Sequence, residues 1–190
     1  MAASTSLARW ISILAHPFVM AVVMAVTTGI RFGALRGGVG AAVAVGLVIL
    51  PVALLMARQV RAGRWGNVDA SEPRERPALF AVAILSLFAL FLYLWLRETQ
   101  ASLLRGVGGT LALVVVAAVA NRWIKVSLHM AFACLTVTVL VLLGSIVGWC
   151  LVPVIPALAW SRLQLARHRP VELIAGTALG AITGLAVHFL

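Results

Sequence analysis

SLHMAFACLTVTVLVLLGSIVGWCLVPVIPALAW, residues 127–160, runs for 34 positions with His129 as its one Asp, Glu, Lys, Arg or His. An uninterrupted apolar run of this length is too long for one crossing of a hydrocarbon core, which takes about 20 helical residues. It is also short of the roughly 40 needed for two full crossings at about 1.5 Å per residue. Gly144, Ser145, Gly148, Pro153 and Pro156 are the only relief. The run therefore reads as two short helices, 127–144 and 148–162, that turn near 145–148 and bring the chain back to the side it left. A single long crossing would instead place the two ends on opposite membrane faces.

The same kind of run fills the rest of the chain. Hydrophobic residues make up 63% of 190 positions, charged residues 11%, and the mean hydropathy is +1.11. Such a chain lacks the polar surface of a water-soluble globule. The runs are long and apolar on every side, which excludes the alternating ten-residue strands of a membrane β-barrel. Further spans fall at 10–30 and 39–57, joined by a glycine-bearing turn at 31–38, then at 77–96, 104–121 and 171–190. Residues 58–76, RQVRAGRWGNVDASEPRER, form the longest hydrophilic loop. The expectation is an all-α integral membrane protein, a single domain over 1–190, built as a bundle of six to seven transmembrane helices. The first span is read as a mature helix, because no basic cluster precedes it and no small-residue cleavage site follows. Most of the six tryptophans sit at span ends, where indole rings prefer the headgroup region. Gly176, Gly180 and Gly184 give the last helix a smooth packing face. Cys134 and Cys150, both within apolar segments, read as small core residues.

The net charge of +10 resides in short loops, so it reads as a topology signal and not as a nucleic-acid surface. With the hairpin in place, eleven basic residues (9, 58, 61, 64, 74, 76, 122, 125, 162, 167, 169) fall on one face and four (31, 36, 97, 105) on the other. The positive-inside rule puts the richer face in the cytoplasm. Lys125 is the single lysine among 15 basic residues, a bias that points to a bacterial, GC-rich source and hence to a multi-pass protein of the inner membrane.

In so apolar a chain, ionisable residues at span ends are the candidates for chemistry. Three clusters qualify: 69–77 (DASEPRERP), 125–129 (KVSLH) and 161–172 (SRLQLARHRPVE). On a helix His168 and Glu172 share a face, and a carboxylate beside an imidazole fixes its tautomer and orientation. Arg162 offers a planar fork suited to two phosphate oxygens. His129 stands beside Ser127 at a helix start, where backbone N–H groups favour an anion. Isolated His16 and His188 read as side chains that reach for the headgroups.

In order and spacing these clusters resemble the type 2 phosphatidic acid phosphatase superfamily, which includes membrane lipid-phosphate phosphatases and vanadium haloperoxidases. Its pattern is Lys-x6-Arg-Pro, then Pro-Ser-Gly-His, then Ser-Arg-x5-His-x3-Asp. Here Ser161, Arg162 and His168 match the third motif, with Glu172 in place of aspartate. Ser127 and His129 match the second, without its proline and glycine. Arg76 and Pro77 match the first, with Asp69 where the lysine would stand. The likeness covers 69–172.

The resemblance implies one phosphate site near one membrane face. His168 would attack phosphorus to form a phosphohistidine, Glu172 would orient it, and His129 would protonate the departing lipid oxygen. Arg76, Ser127 and Arg162 would hold the phosphoryl oxygens. Lys125 is a candidate to restore the charge of the absent lysine. Asp69, Arg74 and Ser161 are further candidates near the site, Asp69 as a partner of Arg74 or Arg76. No metal and no other cofactor is implied, since the cations supply the electrostatic stabilisation. The expected substrate is a lipid phosphate: a polyprenyl phosphate or diphosphate, a phosphorylated prenyl-linked sugar, phosphatidic acid or phosphatidylglycerol phosphate. The competing expectation, favoured by Asp69 and the altered second motif, is a non-catalytic lipid-binding or scaffold protein derived from such an enzyme.

Overall fold

Proline sets where several of the helices begin. It has no N–H to lose in a first turn and its φ is already helical. The computed structural model describes residues 2–66, 75–98 and 101–189, which leaves Asp69 and Arg74 outside the described residues. The described chain forms eight α-helices and no strand: α1 (Ala2–Leu14), α2 (Pro17–Arg61), α3 (Arg76–Leu96), α4 (Ala101–Ala120), α5 (Leu128–Leu142), α6 (Ile146–Leu151), α7 (Val154–Gln164) and α8 (Pro170–Phe189). Five stretches are long and apolar enough to cross a bilayer: α2, α3, α4, the α6–α7 stretch Ile146–Gln164, and α8. The protein is thus an all-α, multi-pass membrane protein.

The expected first span, 10–30, is not one helix. The chain breaks at His16, whose backbone is extended (φ −61°, ψ 143°), because the residue before a proline is pushed out of the helical region. The preceding α1 packs its small residues Ala8 and Ser12 against α7 and turns Leu7, Trp10, Ile13 and Leu14 outward. The expected hairpin does form, with a shorter turn than 31–38. Only Gly33 and Ala34 leave helical geometry inside α2, and Ala34 takes φ 50°. The arms 17–32 and 35–61 then run back along each other so closely that a Cβ on Gly29 would lie 2.5 Å from the Gly37 carbonyl oxygen.

The apolar run at 127–160 folds back as its length requires. Gly144 reverses the chain at φ 69°, and Pro153 divides the return into α6 and α7. At 15 residues α5 is about 22 Å long, short of a hydrocarbon core of about 30 Å. It needs no lipid-facing length, because ten of its residues are buried inside the bundle. Leu135 and Val139 pack with Leu87, Leu113 and Ala117 of α3 and α4. Met130 and Cys134 pack with Met20, Leu158 and Leu173 of α2, α7 and α8. Both cysteines are free thiols; Cys134 is a core residue as expected, whereas Cys150 is exposed.

The glycine face of α8 lies on α5. A Cβ on Gly176 would meet the Ser127 carbonyl at 2.5 Å, one on Gly180 would run into the Ala131 carbonyl, and one on Gly184 would meet Thr138 Cβ at 2.7 Å. The contacts climb both helices in the same order, so α5 and α8 are parallel and start at the same end of the bundle. We expect Gly180→Val to lower stability by about 1–3 kcal/mol through overpacking against backbone that cannot yield. Gly46→Ala, where an added Cβ meets nothing within 4 Å, should be neutral or stabilising by up to about 1 kcal/mol. Thermal unfolding in detergent measures both, and equal melting temperatures would show that the stripe does not set the approach.

Candidate functional site

The parallel pairing of α5 and α8 gathers the clusters that the sequence keeps apart. The Ser127 N–H donates to the Glu172 carbonyl (3.2 Å), joining the start of α5 to the first turn of α8. Ser127 Oγ accepts from the Met130 N–H at 3.5 Å and caps α5. Arg76, the first residue of α3, donates from Nη1 to Asn121 Oδ1 (2.8 Å) and to the Val126 carbonyl (3.1 Å). That fixes α3 against the turn between α4 and α5. In α7, Ser161 Oγ donates to the Ala8 carbonyl (2.6 Å) and Arg162 Nη1 donates to Ser12 Oγ (2.7 Å), so α1 clamps this pair. Between α7 and α8, His168 Nδ1 lies 2.7 Å from Glu172 Oε2, and the Arg169 N–H donates to the same carboxylate oxygen at 3.2 Å.

A cavity of about 740 Å³ runs between the α2 hairpin and α3, α4, α5 and α8. Its walls are apolar, with Met24, Val48, Leu87 and Phe132 among them, and they extend to Arg105 and His188 at the far end. At the near end it is lined by His16, Arg76, His129, Arg162 and His168. Four of these barely touch solvent: Arg162 is 2% exposed, Arg76 and His129 6% each and His168 8%. His129 Nε2 has no hydrogen-bond partner among the described residues. An orphaned buried polar atom costs on the order of 1–3 kcal/mol, which a ligand oxygen would offset.

Of the residues singled out from the sequence, Arg76, His129, Arg162 and His168 thus share one cavity end. Ser127 and Ser161, both fully buried, do not line it, and their hydroxyls serve the α5 cap and the α1 contact. Glu172 stands behind His168, lining with Lys125, Arg167 and Arg169 a separate pocket of about 320 Å³. Lys125 Nζ donates to the Arg167 carbonyl (2.9 Å) and does not line the larger cavity.

His16 was missed. In the structure its Nδ1 accepts from the Phe18 N–H (3.2 Å), and the ring sits edge-on to that of His129 at 5.1 Å. The available signal was its place before Pro17, where a side-chain acceptor caps a helix. Ser12 and Asn121, the partners of the two arginines, carry no signal of their own, because both contacts depend on tertiary packing.

Burial lowers the pKa of His168 to about 4, outweighing the Glu172 carboxylate, and the charge of Arg162 pushes the same way. The imidazole is neutral at pH 7, with Nδ1–H directed at Glu172 and a lone pair on Nε2. Lys125 is also lowered, first by burial and then by the charge of Arg76, with Glu172 opposing. Comparison with known protein families, characterised proteins and solved structures returns no match.

The His168 shift makes stability depend on acid. An unfolded chain takes up this proton near pH 6.5 and the folded protein only near 4, so protons favour the unfolded state between those values. The stability that neutral His168 contributes is complete above about pH 6.5 and is lost as pH falls towards 4. In detergent the wild type should lose more melting temperature between pH 7.5 and 4.5 than His168→Gln does. Equal losses would show that His168 is not held neutral.

Proposed function

We propose that the protein is a membrane-embedded phosphatase that removes a phosphomonoester or diphosphate group from a lipid through a phosphohistidine on His168. The observation that carries this reading is a long apolar cavity with three imidazoles and two guanidiniums at one end. A molecule with an anionic head and an apolar tail matches both parts. The starts of α2, α3, α5 and α8 converge on that end and add their positive dipole ends to the two arginines.

In this reading Nε2 of His168 attacks phosphorus, and the N–P bond forms as the P–O bond to the lipid or to the inner phosphate breaks. His129, protonated once the anionic substrate offsets the charge of the arginines, gives its proton to the departing oxygen and is left as the neutral imidazole. Water then adds to phosphorus from the side the lipid left and returns a proton to His129. The N–P bond breaks, and phosphate leaves with His168 restored. Arg76 and Arg162 hold the phosphoryl oxygens and offset the charge that builds on them. Glu172 keeps the His168 proton on Nδ1. Ser127, Ser161 and Lys125 hold the frame. Polyprenyl phosphates and diphosphates, phosphorylated prenyl-linked sugars, phosphatidic acid and phosphatidylglycerol phosphate all share the required chemistry.

Phosphate release from a panel of these lipids in detergent tests the reading. His168→Ala should fall to background, and His129→Ala by about 10²–10⁴-fold, the usual weight of a general acid. The second reading, a non-catalytic lipid binder, is favoured by the commitment of the Ser127 hydroxyl to a cap. Equal background rates for wild type and His168→Ala would leave that reading standing alone.

In this reading the site faces the cytoplasm, which the excess of basic residues on its side supports. With Cys134 and Cys150 replaced, a cysteine at Arg36 near the tip of the α2 hairpin should react with an impermeant reagent outside intact cells. One at Gly63 should not; the reverse pattern would invert the protein.

A further inference from the structure

The sequence motifs begin at residue 69, yet the cavity end is also lined by a residue far upstream. His16 occupies the break between α1 and α2, lines the cavity with Arg76, His129, Arg162 and His168, and packs edge-on against His129. Its Nδ1 accepts the Phe18 N–H, which requires that this nitrogen be unprotonated. In the neutral ring the proton is then on Nε2, at the ring edge remote from the backbone. The helix cap thereby fixes which nitrogen is the donor and holds the ring in place. The ring of Phe18, 4.6 Å away in an edge-to-face contact, supports it from another side. Capping alone does not call for histidine, since Asn, Asp and Ser cap better. An imidazole in this position adds what a small cap residue lacks, a second ring nitrogen on a side chain that lines the cavity.

We propose that His16 is a phosphate-binding residue of the site, donating from Nε2–H to an oxygen of the bound phosphoryl group beside the one His129 addresses. It completes a ring of donors in which Arg76 and Arg162 contribute charge and the imidazole contributes a directed neutral hydrogen bond. The N-terminal segment is then part of the site twice over, as Ser12 holds Arg162 and His16 meets the ligand. This assignment rests on the lipid-phosphate reading for its ligand class but not on hydrolysis.

The test separates the cap from the donor. His16→Asn keeps a capping oxygen and removes the distant N–H; His16→Ser does the same with a shorter side chain, and His16→Ala removes both functions. Binding of a long-chain alkyl phosphonate, which cannot be hydrolysed, is measured in detergent beside that of the matching long-chain alcohol. His16→Asn and His16→Ser should melt with the wild type, bind the alcohol equally well and bind the phosphonate about 10- to 100-fold more weakly. His16→Ala should show the same selective loss and melt earlier. Unchanged phosphonate affinity in the Asn and Ser variants overturns the assignment, as does an equal loss for phosphonate and alcohol. Phosphate release measured in parallel distinguishes the two claims. A selective loss without any turnover in the wild type supports His16 as a ligand and removes the hydrolysis reading. Normal turnover and binding in His16→Asn removes His16 and leaves hydrolysis intact.

Discussion

The backbone of α8 lies against the backbone of α5 because Gly176, Gly180 and Gly184 leave no side chain between them. In a lipid environment hydrophobicity gives helices no reason to associate, so close backbone approach and the dispersion it allows have to do that work. The same contact sets direction. Two helices separated in sequence by a reversal and a return run parallel, their first turns tied by the Ser127 N–H and the Glu172 carbonyl. His129 in one first turn and His168 just before the other are then neighbours by construction. Without the stripe, the intervening α6 and α7 could still return the chain, but nothing would fix the depth at which the histidines meet.

Much of this was legible in the sequence. The shortage of residues between Ser127 and Arg162 called for a short hairpin, and α5 at 15 residues is one. The glycine spacing pointed to a packing face, and the start of α8 at Pro170 was a local signal. The break at His16 was present in the sequence as a residue before proline, but continuous hydrophobicity across it argued for one span, and hydropathy averages over such a break. Tertiary pairings left no trace. Ser12 with Arg162, Asn121 with Arg76 and His16 with His129 each join segments whose relative placement depends on the whole bundle. Ser127 shows a different limit: a serine at a helix start suits an anion and suits a cap, and the residue type does not say which.

The site combines charge with apolarity in a way that ordinary packing would avoid. Buried guanidiniums are costly in a low-dielectric interior, and Arg76 and Arg162 are each placed by hydrogen bonds to fixed groups. His168 responds to the same surroundings by remaining neutral, because another cation among these would be more expensive than a neutral ring beside a carboxylate. In the proposed reaction a nitrogen nucleophile has to be neutral, so one electrostatic environment would both prepare it and favour an anionic ligand.

The two-residue reversal at Gly33 and Ala34 bears on how the protein reaches its membrane. A loop of ordinary length would give one arm of α2 a resting place in water while the other entered. Here no such loop exists, and the arms touch backbone to backbone within one turn of the tip. In the orientation proposed above they would enter the bilayer as one object, with Arg31 and Arg36 at its leading edge. In that orientation the strongly apolar character of both arms would carry a burden in biogenesis as well as in the folded state, outweighing the transfer of two charges that each cost about 2.5–3.5 kcal/mol at the bilayer centre.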